Sequence, residues 1–465
     1  EEMLDRIHSL VKGKSGNIAI STYHTHKVDI VRKESNTAIN RPHPVWQYSA
    51  SDNVKSVEDC WTSKTVSNCC INAIDLPYRF VGVSKNEVAI RLYESIASGS
   101  GLDFCIIGVF DGYPDRENFE TVRQIFQFHR DYEPYFGQFI SVAPIALVCP
   151  SETRPDELQE YRGIFKMLKE EHLLFDVFHQ DALGQKSDNL AEYKMLIIPN
   201  VHTFSPRQLA VLADLRMKGI RMLATGQSCT GDEANREFLK QDLHVEPLDA
   251  FQDTYAAYFD GSDKRLFKRF QQKDWIMADG PFQAVKHRSP LQAMMPFVAA
   301  STFGPPERAF GNRRSDQYGV FLSASEGIVY VPWQAGALYY RHGYEDYKHL
   351  LMDLIDHVMP SERTLWTNAP GNVELFFNRI DDQTYLLQLL NLSGFNGVTY
   401  LKPYPLADIE VTLSGLGACE RVWELGDGDS VRSDWRNGQL KVVLKQLNIY
   451  SAIAIRLKDG FREES

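Results

Sequence analysis

The residue types able to do chemistry are concentrated between Asp29 and Asn53. An apolar pair, Ile30-Val31, leads to Glu34 and Asn36 at what the pattern predicts is the end of a short strand. Pro42 and Pro44 interrupt the chain, and Trp46 and Tyr48 then stand two residues apart on a second expected strand, with Asp52 close behind. A carboxyl, amides and aromatic rings at neighbouring strand ends suit the cleavage of a sugar linkage. Aromatic faces stack on the apolar face of a pyranose while a carboxyl moves the proton. In that arrangement Glu34 is the general acid/base, Trp46 stacks on the ring, and Asn36, Tyr48 and Asp52 hold hydroxyls. Arg79, in Leu76-Pro77-Tyr78-Arg79-Phe80, follows a strand expected over residues 66–74 and adds a positive donor on the same side. Each residue also has a purely structural use. Glu34 can pair with Arg32 or Lys33 on a solvated rim, and aromatics at i and i+2 commonly face a core.

The same stretch resembles retaining α-L-fucosidase-like glycoside hydrolases, whose late barrel strand carries Trp-Glu-Thr-Cys followed by Ser-Trp-Gly-Tyr. Further on, the run from Leu92-Tyr93-Glu94-Ser95 to Ile106-Ile107-Gly108 is similar to the last helix and strand of that barrel. Within this likeness the chain is most similar to a bacterial set called the hypothetical glycosyl hydrolase 6 group. Its members carry Glu-Ser-Asn-Thr-Ala, Trp-x-Tyr-Ser-Ala-Ser-Asp-Asn and Pro-Tyr-Arg-Phe much as this chain does. The resemblance implies that Glu34 is acid/base or, as in other branches, a sugar-binding group. It places the nucleophile on a barrel strand upstream of residue 1. An alignment with family 42 β-galactosidases instead puts their nucleophilic Glu near Asn68, which cannot act as a carboxylate.

The elements that must position these residues follow from periodicity. Strands are expected over residues 17–22, 30–32, 45–49, 66–74 and 104–108, and helices over 87–97 and 117–132. Alternating strands and helices suit a parallel (β/α)₈ barrel, but residues 1–140 supply only about half of the roughly 250 residues one needs. Residues 141–360 read as a flavodoxin-like, doubly wound α/β domain, with strands at 145–151, 175–178, 195–200, 220–225 and 327–333. This part resembles the glutamine-amidotransferase-like domain that serves trimerisation in family 42 enzymes. True amidotransferases carry Gly-x-Cys-x-Gly on the turn after the fourth strand. Here the turn is Gly226-Gln227-Ser228-Cys229-Thr230-Gly231, so Gln227 occupies the elbow and Cys229 falls two residues late. The domain is read as inert; its rival is a live hydrolase pairing Cys229 with His342 or His349. Residues 361–465 are strand-rich, with Gly and Asp turns, and suit a small β-sandwich.

Composition narrows the partners. At 465 residues the chain is long enough for two to four domains, and 43% hydrophobic with 24% charged residues is ordinary for a globular protein. The net charge of −11 argues against a nucleic-acid partner, which requires a basic face. No run of eighteen apolar residues is present, so no membrane helix is expected. Seven scattered cysteines, an odd number in no metal-ligand spacing, favour reduced thiols and a cytoplasmic protein. His24 and His26 lack a nearby third ligand, so neither a metal nor a cofactor is expected. The expected partners are a carbohydrate substrate and further copies of the chain, as a dimer or trimer.

Overall fold

The computed structural model describes residues 2–35, 38–40, 43–61, 63–137, 139–151, 154–184, 190–301, 304–305, 313–360, 363–426 and 430–458. They divide into two compact units. One comprises Glu1–Val142, Lys169–Val177 and Thr364–Ser465; the other comprises Ala143–Leu168 and Phe178–Arg363.

The first unit opens with helix α1 (Glu2–Lys14), acidic in its first turn and basic in its last, as the helix dipole favours. Four parallel strands follow: β1 (Ser21–Thr22), β2 (Ile30–Ser35), β3 (Thr65–Ile71) and β4 (Asp103–Cys105). They form one sheet in the order β1-β2-β3-β4. Three helices alternate with them: α2 (Ser49–Glu58), α3 (Lys85–Ala97) and α4 (Phe119–Asp131). Ser84 starts α3 by accepting the Asn86 and Glu87 N–H groups.

The second strand expected over residues 45–49 does not form. Ser49 instead opens α2, and Tyr48 occupies its N-cap without a side-chain capping bond. The orphaned N–H groups of Ala50 and Ser51 are satisfied from outside the helix, by Oε2 of the buried Glu94 on α3 (3.0 and 3.3 Å). Burial, with Glu374 nearby, drives the Glu94 pKa well above the usual carboxylate range, while those N–H groups pull the other way. Lower on α2, Lys55 bridges Asp59 (2.8 Å) and Asp176 (3.3 Å) in the interior. A short strand β5 (Ile140–Ser141) ends this stretch.

The second unit is built on a nine-stranded sheet. It contains the parallel strands β6 (Ile145–Cys149), β8 (Met195–Pro199) and β9 (Arg221–Thr225), with β7 (Phe175–His179) beside β6 at its edge. Helices α5 (Pro155–Glu170), α6 (Pro206–Met217) and α7 (Glu233–Asp242) connect or follow them. Ser205, before Pro206 in the first turn of α6, forms a complete capping box with Gln208. Residues 245–323, to which the pattern assigned no strands, hold β10 (Val245–Asp253), β11 (Ala257–Asp260), β12 (Trp275–Ala278), β13 (Pro281–His287), β14 (Gln292–Val298) and β15 (Arg314–Ser323). After β16 (Ile328–Val331) come α8 (Ala335–His342) and α9 (Glu345–Val358). The sheet order is β12-β11-β14-β15-β16-β9-β8-β6-β7. Its last five members have the doubly wound order 2-1-3-4-5, extended by antiparallel strands beyond β16. Helices α5 and α8 touch so closely that a Cβ on Gly163 would lie 1.8 Å from the Gly336 carbonyl oxygen.

The first unit resumes with β17 (Leu365–Thr367), β18 (Val373–Arg379), β19 (Thr384–Asn391), β20 (Leu406–Ser414), β21 (Cys419–Glu424), β22 (Val431–Arg436), β23 (Gln439–Leu447) and β24 (Tyr450–Leu457). They form a β17-β20-β23-β22 sheet and a β21-β24-β19-β18-β5 sheet. Inward residues of both, among them Leu375, Leu387, Val411, Val442 and Ile453, share one core.

Candidate functional site

The parallel sheet β1–β4 presents two chemically different faces, because alternate residues point to opposite sides. Ser35 and Asn68 face the helices. The Asn68 amide donates to Ser35 Oγ (3.1 Å) and to Ser95 Oγ on α3 (3.2 Å), while its oxygen accepts from Asn53 on α2 (3.0 Å). Asn68 is therefore a buried tie between strand and helices.

Arg32 and Glu34 share the opposite face. Asp103 on β4 meets Arg32 Nη2 at 3.5 Å and accepts from Ser67 Oγ at 2.6 Å. The register places Glu34, Cys69 and Asp103 in one row across β2, β3 and β4. Glu34 is the penultimate residue of its strand and accepts a hydrogen bond from the exposed Tyr23 hydroxyl. That bond to a carboxylate favours the neutral phenol, so the Tyr23 pKa is raised above its ordinary value. Burial, then the nearby Asp103, pushes the Cys69 thiol up, so it sits here as a thiol rather than a thiolate. Ser67, Asp103 and Tyr23 went unnoticed in the sequence, and Arg32, expected beside Glu34, pairs with Asp103. Their signal is i, i+2 alternation on strands whose register sequence does not reveal.

The aromatic residues are placed differently from expectation. Trp46 is half-buried in the loop before α2, and its indole N–H donates to Asp52 on α2 (2.9 Å). The Trp46 and Tyr48 rings meet edge to face, with centroids 5.4 Å apart. Tyr48 is only 1% exposed. Its ring packs against Trp46 from the interior, where the sequence expected a strand residue. Asp52 likewise orients the Trp46 indole. Arg79 lies in an exposed turn, with its guanidinium 4.7 Å from the Phe80 ring centre and its carbonyl accepting from Tyr113 (2.5 Å). The structure thus gathers Trp46, Tyr48 and Asp52, and leaves Arg79 on a neighbouring turn. Asn36 lies outside the described residues.

Among the described residues, no group of three or more His, Cys, Asp or Glu side chains is arranged to hold a metal ion. His26 meets Asp5 at 2.9 Å. No helix among those residues is long and apolar enough to cross a membrane. In the second unit, the turn after β9 is pinned by Asn200, whose Oδ1 accepts the Gln227 N–H at 2.7 Å. A Cβ at Gly226 would lie 2.2 Å from that oxygen. Cys229 sits on this turn fully buried, and burial raises its thiol pKa, which opposes a nucleophilic role.

Neither family models nor curated protein sequences match this chain. Solved structures do. α-L-Fucosidase isoenzyme 2 from Paenibacillus thiaminolyticus is 15% identical with a TM-score of 0.77, over 98% of this chain and 71% of that one. The GH42 β-galactosidase Gan42B of G. stearothermophilus is 12% identical with a TM-score of 0.65, over 96% of this chain and 65% of its own. The β-galactosidase of Bacillus circulans sp. alkalophilus is 11% identical with a TM-score of 0.64, over 97% and 66%. This chain therefore spans just under two thirds of the length of those two β-galactosidases. At such identities the likeness is one of fold: a mixed α/β, glycoside-hydrolase-like architecture with a large sheet.

Proposed function

We propose that this protein is a glycoside hydrolase that cleaves O-glycosidic bonds of an oligosaccharide or glycoside, with fucosidase- or galactosidase-like substrates. The observation that carries the reading is Glu34 itself, near the carboxyl end of a parallel strand and hydrogen-bonded by Tyr23. The fold likeness to a fucosidase and to β-galactosidases supports it. Glu34 donates a proton to the leaving oxygen, Trp46 stacks on the sugar ring, and Asn36, Tyr48, Asp52 and Arg79 hold its hydroxyls. Cleavage through an oxocarbenium-like transition state requires a second, ionised carboxyl. Asp103, in the same strand row and beside the Arg32 counter-charge, is the candidate on this chain. Residues 1–140 act as part of a barrel, residues 141–360 as an assembly domain and residues 361–465 as a β-sandwich, in a cytoplasmic homo-oligomer.

Glu34→Gln keeps shape and removes the titrating proton, so turnover on a natural glycoside falls ~10²–10⁴-fold with KM little changed. Aryl glycosides with good leaving groups lose far less. Turnover within about threefold of wild type removes Glu34 from the role of acid. Asp103→Asn abolishes turnover if Asp103 is the second carboxyl, and spares it if that group lies elsewhere.

A second reading, a non-catalytic carbohydrate-binding or scaffold subunit, is favoured by Asn68. The position that family 42 alignment gives to the nucleophile holds a buried amide tied to Ser35, Ser95 and Asn53. Saturable sugar binding without turnover of any glycoside supports that reading.

A further inference from the structure

Trp46 is held from a distant part of the chain as well as by its own loop. The segment 392–404, between β19 and β20, reaches the backbone on both sides of it. The Val45 N–H donates to the Gly397 carbonyl (3.0 Å), and the Tyr400 hydroxyl donates to the Gln47 carbonyl (2.6 Å). The segment is itself stiff. Asn396 Oδ1 accepts the Val398 and Thr399 N–H groups (3.0 and 2.9 Å), and the Leu401 N–H donates to the Gly394 carbonyl (2.9 Å). A Cβ at Gly394 would lie 2.1 Å from the Leu401 carbonyl oxygen, so only glycine permits this approach. Two more bonds anchor it to α3 and its cap: Ser84 Oγ donates to the Tyr400 carbonyl (2.7 Å), and Thr399 Oγ1 to Glu87 (3.2 Å).

We propose that segment 392–404 belongs to the ligand-binding machinery and that Tyr400 is the positioning residue that sets the Trp46 ring. This rests on reading Trp46 as a sugar-stacking platform. With the Val45 N–H and the Gln47 carbonyl both held, the chain is anchored one peptide out on either side of residue 46, which narrows the directions open to the ring. The Asp52 carboxylate then fixes the indole about its own axis (2.9 Å). The Tyr400 ring is buried, so a phenylalanine would fill the same space. The hydroxyl is what tyrosine adds, and it is used on the Gln47 carbonyl.

Tyr400→Phe removes only that bond. Asn396→Ala, which loosens the segment without touching its core, is the companion variant should Tyr400→Phe fold poorly. Two readouts are taken. The first is acrylamide quenching of the Trp46 fluorescence, isolated as the difference from the same protein carrying Trp46→Phe. The second is kcat and KM on p-nitrophenyl α-L-fucoside and β-D-galactoside. Freed from its clamp, Trp46 is quenched about twofold more strongly, and KM rises about threefold or more with kcat little changed. A Trp46 quenching constant equal to wild type in the folded variants overturns the proposal, as does stronger quenching with KM unmoved. Glu34→Gln, assayed in parallel, reports on the hydrolase reading alone: unchanged turnover there sinks that reading without touching the Trp46 result. Where neither glycoside is turned over, the quenching measurement alone decides.

Discussion

At the scale of single residues, the contact between Tyr23 and Glu34 is open to direct test. Its carboxylate oxygen accepts the phenol proton, and that bond is the leading cause of the raised Tyr23 pKa. Replacing Glu34 by Gln removes the negative acceptor, so the Tyr23 titration moves down toward the ordinary value of about 10. Ultraviolet titration of Glu34→Gln against the same protein carrying Tyr23→Phe isolates this one phenol among the tyrosines. An unmoved Tyr23 titration means that the pair is not formed in solution. Trp46 shows the same economy, since its indole N–H and its ring each have a named partner and segment 392–404 holds the Val45 N–H and the Gln47 carbonyl on either side of it. A stacking platform has to be rigid, because ordering a loose indole would cost side-chain entropy when the ligand binds.

At the scale of elements, buried carboxyls stand in for local caps. Glu94 caps α2 from α3, and Glu160 does comparable service between α5 and α8, where its Oε2 accepts the Ala337 N–H at 2.7 Å. Burial pushes the Glu160 pKa up to about 7; the Ala337 N–H, the Thr225 hydroxyl, the Gly336 N–H and then Arg341 oppose the shift. Its folded pKa thus exceeds its unfolded value. The stabilisation is fully present below the unfolded pKa of about 4.5 and is lost as pH rises through about 7. Shifts of this size correspond to about 3 kcal/mol. Wild type therefore loses up to about that amount relative to Glu160→Gln between pH 4.5 and pH 8. Denaturant titrations of both proteins across this range check it, and parallel stability curves count against it.

At the scale of the whole molecule, assembly is the prediction. The prediction follows from the proposal that residues 141–360 act as an assembly domain, in which Cys229 is buried on a turn pinned by Asn200. Light scattering coupled to size exclusion is expected to give a dimer or trimer mass at micromolar concentration, and a strict monomer refutes it. The sheet β1–β4 adds a reason: among the described residues its outer strands, β1 and β4, each pair on one side within that sheet, and an open parallel edge invites pairing with further strands.

Much of the chain was legible in its sequence where local pattern and final structure agree. The runs over residues 175–178 and 220–225 form strands within a residue of those bounds, and α3 and α4 follow the apolar spacing of residues 87–97 and 117–132. Glu34 was found because an apolar run delivers it to a strand end. Other features were decided only by tertiary structure. Val45 to Ser49 has strand-like residues, yet Glu94, more than forty residues on, supplies the acceptor that lets Ser49 open a helix instead. Residues 245–323 carry mixed polar and apolar spacing and become strands by pairing with neighbours. The row Glu34–Cys69–Asp103 and the clamp of Tyr400 on Gln47 join residues dozens to hundreds of positions apart. Periodicity reports which face of an element is apolar; register and long-range hydrogen bonds depend on which elements meet, and that is settled only when the chain packs.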